Sequence, residues 1–248
     1  MKRSLKELEG YRIQATDGEL GRVRDVLFEE RSWAIRYIQV DTGHWLPGRQ
    51  VLISPVSAGE PDWETHHLPV NLTVEQVEQS PSLQSHLPVS RRHEAQLAVY
   101  YGWPIYWASA GEPDESGTLS DSMAPVEAVP QEEDAENEQP QLRSTHNIRG
   151  YRLRAVDGGI GHVDDVIADT EAWTVRYLVV DTRNWLPSKR VLISTAWVRD
   201  LDWAEATLSI DVTCEEVRDG PEYDPRKPVN REYEARYYDY YGRPRYWE

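Results

Sequence analysis

The chain has 248 residues, of which 39% are hydrophobic and 10% aromatic, enough for one large or two ordinary folded domains. Its formal net charge of −16 argues against a nucleic-acid partner, and its single cysteine, Cys214, excludes an internal disulfide. No run of about 18 apolar residues occurs, and no apolar stretch follows the basic start. We therefore expect a soluble cytoplasmic protein without a membrane span or a signal peptide.

The sequence repeats itself at a spacing of 140 residues. VDTGHWLPGRQVLIS returns as VDTRNWLPSKRVLIS, and residues 10–107 align with residues 150–247 without a gap. In that alignment 41 of the 98 pairs are identical, far more than unrelated sequences share. The chain is therefore predicted to hold two copies of one module, residues 1–107 (module 1) and residues 143–248 (module 2).

The segment between the modules, residues 108–142, has a different composition. It contains no aromatic residue and no Lys or Arg, and its ten Asp and Glu residues supply −10 of the net charge of −16. Pro, Ser, Ala and Gln fill much of the rest, so the segment cannot bury enough apolar surface to offset its chain entropy. We predict that it is a disordered acidic linker.

Each module begins with a predicted series of short strands. In module 1, two strand-like runs flank Asp17 and Gly18, which supply the positive φ angles of a tight hairpin turn. WAIRYIQVDT alternates as a third strand with Ile35 and Tyr37 on one face, WLPGRQVLIS enters a fourth, and DWETHHLPV contains a short fifth. Such strands around a Val, Ile, Leu and Trp interior predict a mainly β module, a small antiparallel β-barrel or curled sheet.

A helix and an aromatic segment are predicted to complete each module. Thr73 opens a short helical turn as a capping box. Ser90, matched by Asn230 in module 2, caps a helix of about eleven residues that Gly102 or Gly242 ends. YYGWPIYW and YYGRPRYW then form what we call the aromatic strap, an extended segment expected to pack on protein.

Three motifs recur in both modules: G-Y-R-[IL]-x-A-x-D-G-x-[LI]-G-x-V-x-D-V, WxxRYxxVDT and WLPxxxVLIS. Over about 10–80 and 150–220 they resemble the PRC-barrel family. That barrel is found in the cytoplasmic domain of the photosynthetic reaction centre H subunit and at the C-terminal end of the ribosome maturation factor RimM. The resemblance implies a non-catalytic module that docks proteins or assembles with itself. It carries over no role in photosynthesis or ribosome maturation, because the sequence lacks the membrane helix of one protein and the N-terminal domain of the other.

No arrangement of side chains in the sequence predicts catalysis. Asp17 could belong to a carboxylate pair, but the hairpin turn explains it. His66 and His67 would face opposite sides of a strand and have no third ligand nearby, so we predict no metal site. Cys214 is matched by a valine in module 1, which indicates a small buried hydrophobe. We therefore predict no enzymatic activity and no cofactor.

The candidate partner-binding residues are charges and aromatic rings that recur in both modules. Arg36 and Asp41 are expected to pair across a strand, to tie the following turn, or to contact a partner beside a tryptophan. The strap rings could pack on their own module, on a partner, or serve as a platform for a ligand. The candidates are Arg36, Asp41, Trp45, Tyr101, Trp103, Tyr106 and Trp107 in module 1, and Arg176, Asp181, Trp185, Tyr241, Arg243, Tyr246 and Trp247 in module 2.

The sequence favours a non-catalytic interaction or scaffold protein of the bacterial cytoplasm. Its modules would bind a protein partner as two separate binding domains joined by a long flexible linker. Alternatively, they would associate with each other as an intra-chain pseudo-dimer or a homo-oligomer. No nucleic acid and no membrane span is expected. The alternative is the binding of a small molecule or a glycan through the Trp and Tyr surface.

Overall fold

The computed structural model describes residues 2–47, 49–84, 89–107, 142–182 and 189–248. The predicted linker lies outside these residues, except that a strand begins at Leu142, which we count with module 2 from here on. Module 1 contains strands β1 (Lys2–Ser4), β2 (Arg12–Gln14), β3 (Glu19–Glu29), β4 (Ile35–Asp41), β5 (Arg49–Ile53), β6 (His67–Pro69) and β7 (Leu83–Gln84). Module 2 contains strands β8 (Leu142–Ser144), β9 (Arg152–Arg154), β10 (Gly159–Asp169), β11 (Thr174–Asp181), β12 (Arg190–Ser194), β13 (Val198–Asp202) and β14 (Thr207–Ile210). The helices are α1 (Leu5–Leu8), α2 (Val74–Glu78), α3 (Arg91–Tyr101), α4 (Thr145–Ile148), α5 (Cys214–Asp219) and α6 (Arg231–Tyr241).

The strands form two sheets, and the mainly β prediction is confirmed. The sheet of module 1 has the order β6-β2-β3-β4-β5-β7, and that of module 2 has the order β12-β11-β10-β9-β14-β13. Each order has two ends, so among the described residues the sheets are open where the sequence favoured a barrel. The predicted antiparallel arrangement holds for the other strand pairs of the described residues, but β6 pairs in parallel with β2 and β14 with β9. The long connection before β6 allows this parallel return, which short hairpins could not make.

The predicted turns and helix caps form in both modules, but the expected positive φ angles at Asp17 and Gly18 are wrong, because neither residue adopts one. The amide of Ala15 donates to the carbonyl of Gly18 at 2.8 Å, which closes the hairpin turn. Helix α2 starts with a capping box at Thr73. Helices α3 and α6 each run for 11 residues and end at a glycine in the left-handed region, where a side chain would be strained.

The first strand of each module lies in the sheet of the other module. Strand β1 pairs antiparallel with β10, placing Lys2 opposite Asp169, and β8 pairs antiparallel with β3, placing Leu142 opposite Glu29. The buried apolar side chains of the two modules form one continuous cluster. We call this arrangement the strand exchange. It makes each module's sheet depend on residues from the other module.

Two glycines let the long strands β3 and β10 pass close to the strand beside them. Gly21 has φ +135°, and a Cβ atom there would lie 2.1 Å from the carbonyl oxygen of Asp41. Gly161 has φ +139°, and a Cβ atom there would lie 2.1 Å from the carbonyl oxygen of Asp181. The crossing therefore requires a residue without a side chain in each module.

Gly21→Ala is expected to lower the free energy of unfolding by at least about 4 kcal/mol, because the backbone must move to relieve the contact. Gly43→Ala is the matched control, since Gly43 also has a positive φ of +62° but has open space around its Cβ position. That control should cost only about 1–2 kcal/mol. Urea denaturation of both variants checks the prediction, and equal losses would contradict it.

Candidate interaction site

A buried aspartate of module 2 anchors the exchanged segment of module 1. The hydroxyl of Ser4 donates to Asp165 Oδ2, and the amide of Lys6 donates to Asp165 Oδ1 at 3.3 Å. Ser4 also caps helix α1, because its Oγ accepts from the amide of Glu7 at 3.1 Å. Burial raises the pKa of the Asp165 carboxyl, against the opposing effect of these donors. The segment is therefore held by side-chain contacts as well as by the strand ladder.

The same contacts recur where the segment of module 2 meets module 1. Ser144 donates to Asp25 Oδ2, Thr145 Oγ1 donates to Asp25 Oδ1 at 3.0 Å, and the amide of His146 donates to the same oxygen at 3.2 Å. Ile148 at the end of α4 is fully buried, as Leu8 is at the end of α1. Each site thus combines an added β-strand, a buried carboxylate and an apolar anchor, which is a recurring way to bind a peptide segment.

The two modules also touch directly where strands β4 and β11 begin. Ala34 and Thr174 form an antiparallel bridge, in which Ile35 donates to the carbonyl of Trp173 at 2.8 Å and Val175 donates to that of Trp33 at 2.9 Å. Both tryptophans have positive φ angles, 59° and 45°. A bulky residue rarely adopts this conformation, so local strain is stored at the contact between the modules.

In module 1 the aromatic strap is tied to a buried carboxylate on helix α3. Tyr106 donates to Glu94 Oε2 at 2.8 Å and accepts from Arg91 Nη1 at 2.5 Å. The guanidinium of Arg36 lies 3.6 Å from the centre of the Tyr106 ring, close enough for a cation–π contact. Glu94 is only 2% exposed. The strap residue is therefore held from the helix on one side and from the sheet on the other.

Module 2 repeats this cluster and adds a lysine from module 1. Tyr246 donates to Glu234 at 2.9 Å, and Arg176 lies 4.3 Å from the centre of the Tyr246 ring. Lys2, on the exchanged strand β1, lies 3.2 Å from Glu234 and 3.5 Å from Asp169. On β8, the strand that joins the sheet of module 1, the equivalent residue is Leu142. Burial alone would lower the pKa of Lys2, but Tyr246 and Glu234 outweigh that effect and raise it.

The structure does not bring Arg36 together with Asp41. They lie five positions apart on β4, so their side chains project from opposite faces of the sheet. Arg36 stacks on the strap, whereas Asp41 ties the following turn by accepting from the amide of Gly43 at 3.0 Å. In module 2, Arg176 likewise stacks on the strap, and Asp181 is buried.

The predicted aromatic candidates have different environments. Trp45 is 36% exposed, and its indole N–H donates to the carbonyl of Leu20 at 3.0 Å. Trp185, its counterpart, lies outside the described residues. The last tryptophan of each strap stacks against an arginine, since Arg91 lies 4.6 Å from Trp107 and Arg231 lies 4.1 Å from Trp247.

The two modules fill the space between strap and sheet with tryptophans from different positions. In module 1, Trp103 stacks on Tyr101 at 4.2 Å and donates to Ser57 at 2.7 Å. In module 2, an arginine stands at the position of Trp103, and the tryptophan stands at the position of Ser57. This residue, Trp197, lies 4.7 Å from Tyr241 and 5.8 Å from the guanidinium of Arg243. Module 2 thus lacks the strap tryptophan but has a tryptophan at the position of Ser57, so one tryptophan fills the space between strap and sheet in each module.

A model of the PRC-barrel domain matches residues 2–72 and 141–210. The chain belongs to the PRC-barrel family. The two matched segments confirm two tandem copies and the resemblance found in the sequence, and both begin beside an exchanged strand. Among curated proteins, none matches the chain.

The PRC-barrel family is generally non-catalytic, and its presence here is compatible with an interaction module. Within the part of the chain that the structure describes, no group of three or more His, Cys, Asp or Glu side chains is placed to hold a metal ion. In the same residues, every helix is too short or too polar to cross a membrane.

Sequence reasoning missed the residues that join the modules. Ser4 and Ser144 precede the aligned repeat, and the recurring Glu94 and Glu234 went unused although both lie in the predicted helix. The available signal was Arg-Ser at 3–4 and again at 143–144, which extends the repeat to the start of the chain.

Glu94→Gln is expected to flatten the pH dependence of stability. Burial raises the pKa of Glu94 from an ordinary value of 4.5 to about 7, although Tyr106 and Arg91 act in the opposite direction. The folded protein then keeps a proton that the unfolded chain releases, so this group costs stability as pH rises from about 4.5 to about 7, by about 3 kcal/mol in total. Glutamine cannot ionise, so urea denaturation of the variant should show a smaller decline across this interval.

Glu234→Gln is the matched control for this measurement. Glu234 lies 3.2 Å from Lys2 and 3.1 Å from Arg231, so removing its charge should destabilise the protein by about 3 kcal/mol near neutral pH. A Glu94→Gln profile that runs parallel to that of the unaltered protein would contradict the prediction.

Lys2→Met is expected to lower the free energy of unfolding by about 3 kcal/mol. Lys2 is only 7% exposed, and its loss leaves the buried carboxylate of Glu234 with less compensation. Leu142→Met changes the equivalent residue without changing any charge and should cost less than about 1.5 kcal/mol. Chemical denaturation compares the two variants, and similar losses would show that the lysine acts only through its packing.

Proposed function

We propose that the chain is a non-catalytic protein-interaction protein of the cytoplasm. Its two PRC-barrel modules assemble with each other, and the resulting body receives a protein partner. The observation that supports this proposal is the strand exchange, in which β1 joins β10 and β8 joins β3. Contacts of this kind bury specific side chains on both partners, whereas nothing in them performs a reaction. The single cysteine fits the proposed reducing compartment.

In this proposal the two modules form a single folded assembly instead of two independent binding domains. The exchanged strands complete each other's sheets, and Ala34 and Thr174 join the sheets directly. Residues 108–141 then supply the covalent connection that keeps the second module at high effective concentration beside the first. A partner would accordingly meet a surface built from both modules.

The best candidate for contact with an external protein is the turn after β4. It presents Asp41, which is exposed, beside Trp45, which is 36% exposed. A partly exposed tryptophan next to a charge is typical of residues that contribute strongly to protein interfaces.

The covered faces of the strap rings weigh against glycan binding. A sugar stacks on the open face of an aromatic ring, but Arg36 already occupies one face of Tyr106 at 3.6 Å. Trp103 is buried between Tyr101 and the sheet. These contacts support packing against protein as the role of the strap.

A disulfide between the modules tests the proposed body in solution. Ala34 and Thr174 form a non-hydrogen-bonded antiparallel pair, whose Cα atoms typically lie about 4.5 Å apart. This separation is within the range that a disulfide spans. In a Cys214→Val background, Ala34→Cys with Thr174→Cys should therefore cross-link within one chain under mild oxidation, and should raise the midpoint of thermal unfolding.

Peptide mapping by mass spectrometry identifies the cross-link. The control is Ala34→Cys with Cys214 retained, since nothing places these two thiols together, and it should stay reduced under the same conditions. If the paired variant folds but its thiols remain free, the modules do not meet as proposed.

A further inference from the structure

Equivalent residues of the two modules face each other along one line between them. Ala34 and Thr174 differ by the repeat spacing of 140 and form the bridge between the sheets. Glu9 and Arg149 differ by the same spacing, and their side chains meet at 2.6 Å. A residue that faces its own counterpart lies on the pseudo-two-fold axis that relates the modules.

The axial pair carries opposite charges and is shielded from water. Glu9 follows helix α1 and its side chain is 28% exposed, while Arg149 follows helix α4 and its side chain is 14% exposed. Partial burial reduces solvent screening, so the interaction of these charges is stronger than that of an exposed pair.

The charges on the axis depend on which modules meet. When module 1 meets module 2, Glu9 faces Arg149. Two copies of module 1 would place Glu9 against Glu9, and two copies of module 2 would place Arg149 against Arg149. Like charges at such a contact disfavour the assembly. Pairing of module 1 with module 2 is therefore favoured, because it places opposite charges on the axis.

The serine–aspartate contacts of the strand exchange provide no such choice. Ser4 binds Asp165 as Ser144 binds Asp25, so either segment carries the serine that either aspartate accepts. The paired strands also bond through their main chains, which are the same in any combination. Selection between partners must therefore come from residues that differ between the modules.

We infer that the Glu9–Arg149 pair selects the partner of each module, so that module 1 joins module 2 and like modules from two copies of this chain do not join. This inference rests on the proposed self-assembly of the modules. It assigns a specificity role to two residues and leaves the serine–aspartate contacts and the strand pairing as the source of affinity.

Charge reversal in the full chain tests the inference. Glu9→Arg and Arg149→Glu each place like charges on the axis and should lower the midpoint of thermal unfolding by about 5 °C. The double variant E9R/R149E restores an opposite pair and should recover most of that loss. Glu9→Gln removes the charge without repulsion, and its loss should be smaller than that of Glu9→Arg.

Mixing the two single variants gives a second measurement. Within each single variant, two like charges meet on the axis. After unfolding and joint refolding, a dimer of the Glu9→Arg chain with the Arg149→Glu chain places opposite charges at both of its axial contacts. Native mass spectrometry should therefore show a mixed 1:1 dimer, while the double variant stays a monomer like the unaltered chain. If a single variant does not fold alone, its folding on mixing is the expected result.

The inference is overturned if the double variant is as unstable as the single ones, or if mixing gives no mixed dimer. Hydrogen exchange of the unaltered chain separates this outcome from failure of the proposed assembly. Protected amides at Lys2–Ser4 and Leu142–Ser144, together with unchanged stability on charge reversal, would keep the strand exchange and reject the selection. Unprotected amides there would reject both.

Discussion

A carboxylate buried in each sheet and satisfied from the other module is the constraint on which the rest of the structure depends. Asp25 and Asp165 sit on the long central strands, where an unpaired charge would be costly. The donors come partly from the following residue of the same strand and partly from the exchanged serine and the amides after it. The added strands also cover backbone groups that a sheet edge would leave unpaired. Docking of the segments and folding of the sheets are therefore one process.

The same buried glutamate has different surroundings in the two modules because the exchanged strands differ at one position. Glu94 binds Tyr106 and Arg91, while Glu234 has the corresponding contacts and also Lys2. Leu142 stands where that lysine would be, so the carboxylate of module 1 lacks a cation from the strand. Burial then dominates and raises the pKa of Glu94 to about 7. A duplicated cluster thus acquires unequal electrostatics from the neighbouring module.

Because both modules belong to one chain, the two residues that meet on their pseudo-two-fold axis need not be identical. In a dimer of identical modules, each residue on the two-fold axis meets itself, so a charged residue there is repelled. Two modules in one sequence can diverge at such a position, as Glu9 and Arg149 have. The Trp103 and Trp197 positions diverge in a related way, since each module fills the space under its strap from a different element.

The sequence alone determined the duplication, the mainly β class, the capped eleven-residue helices and the family, because these follow from local patterns and from recurrence of motifs at one spacing. Periodicity also placed Arg36 and Asp41 on one strand and on opposite faces of it, although it could not show that the arginine would stack on Tyr106. Only the tertiary structure decided the parallel strands, the strand exchange and the partners of Lys2 and Glu9. These contacts join residues far apart in the chain, and a sequence pattern carries no information about which module supplies the neighbour of an otherwise identical site.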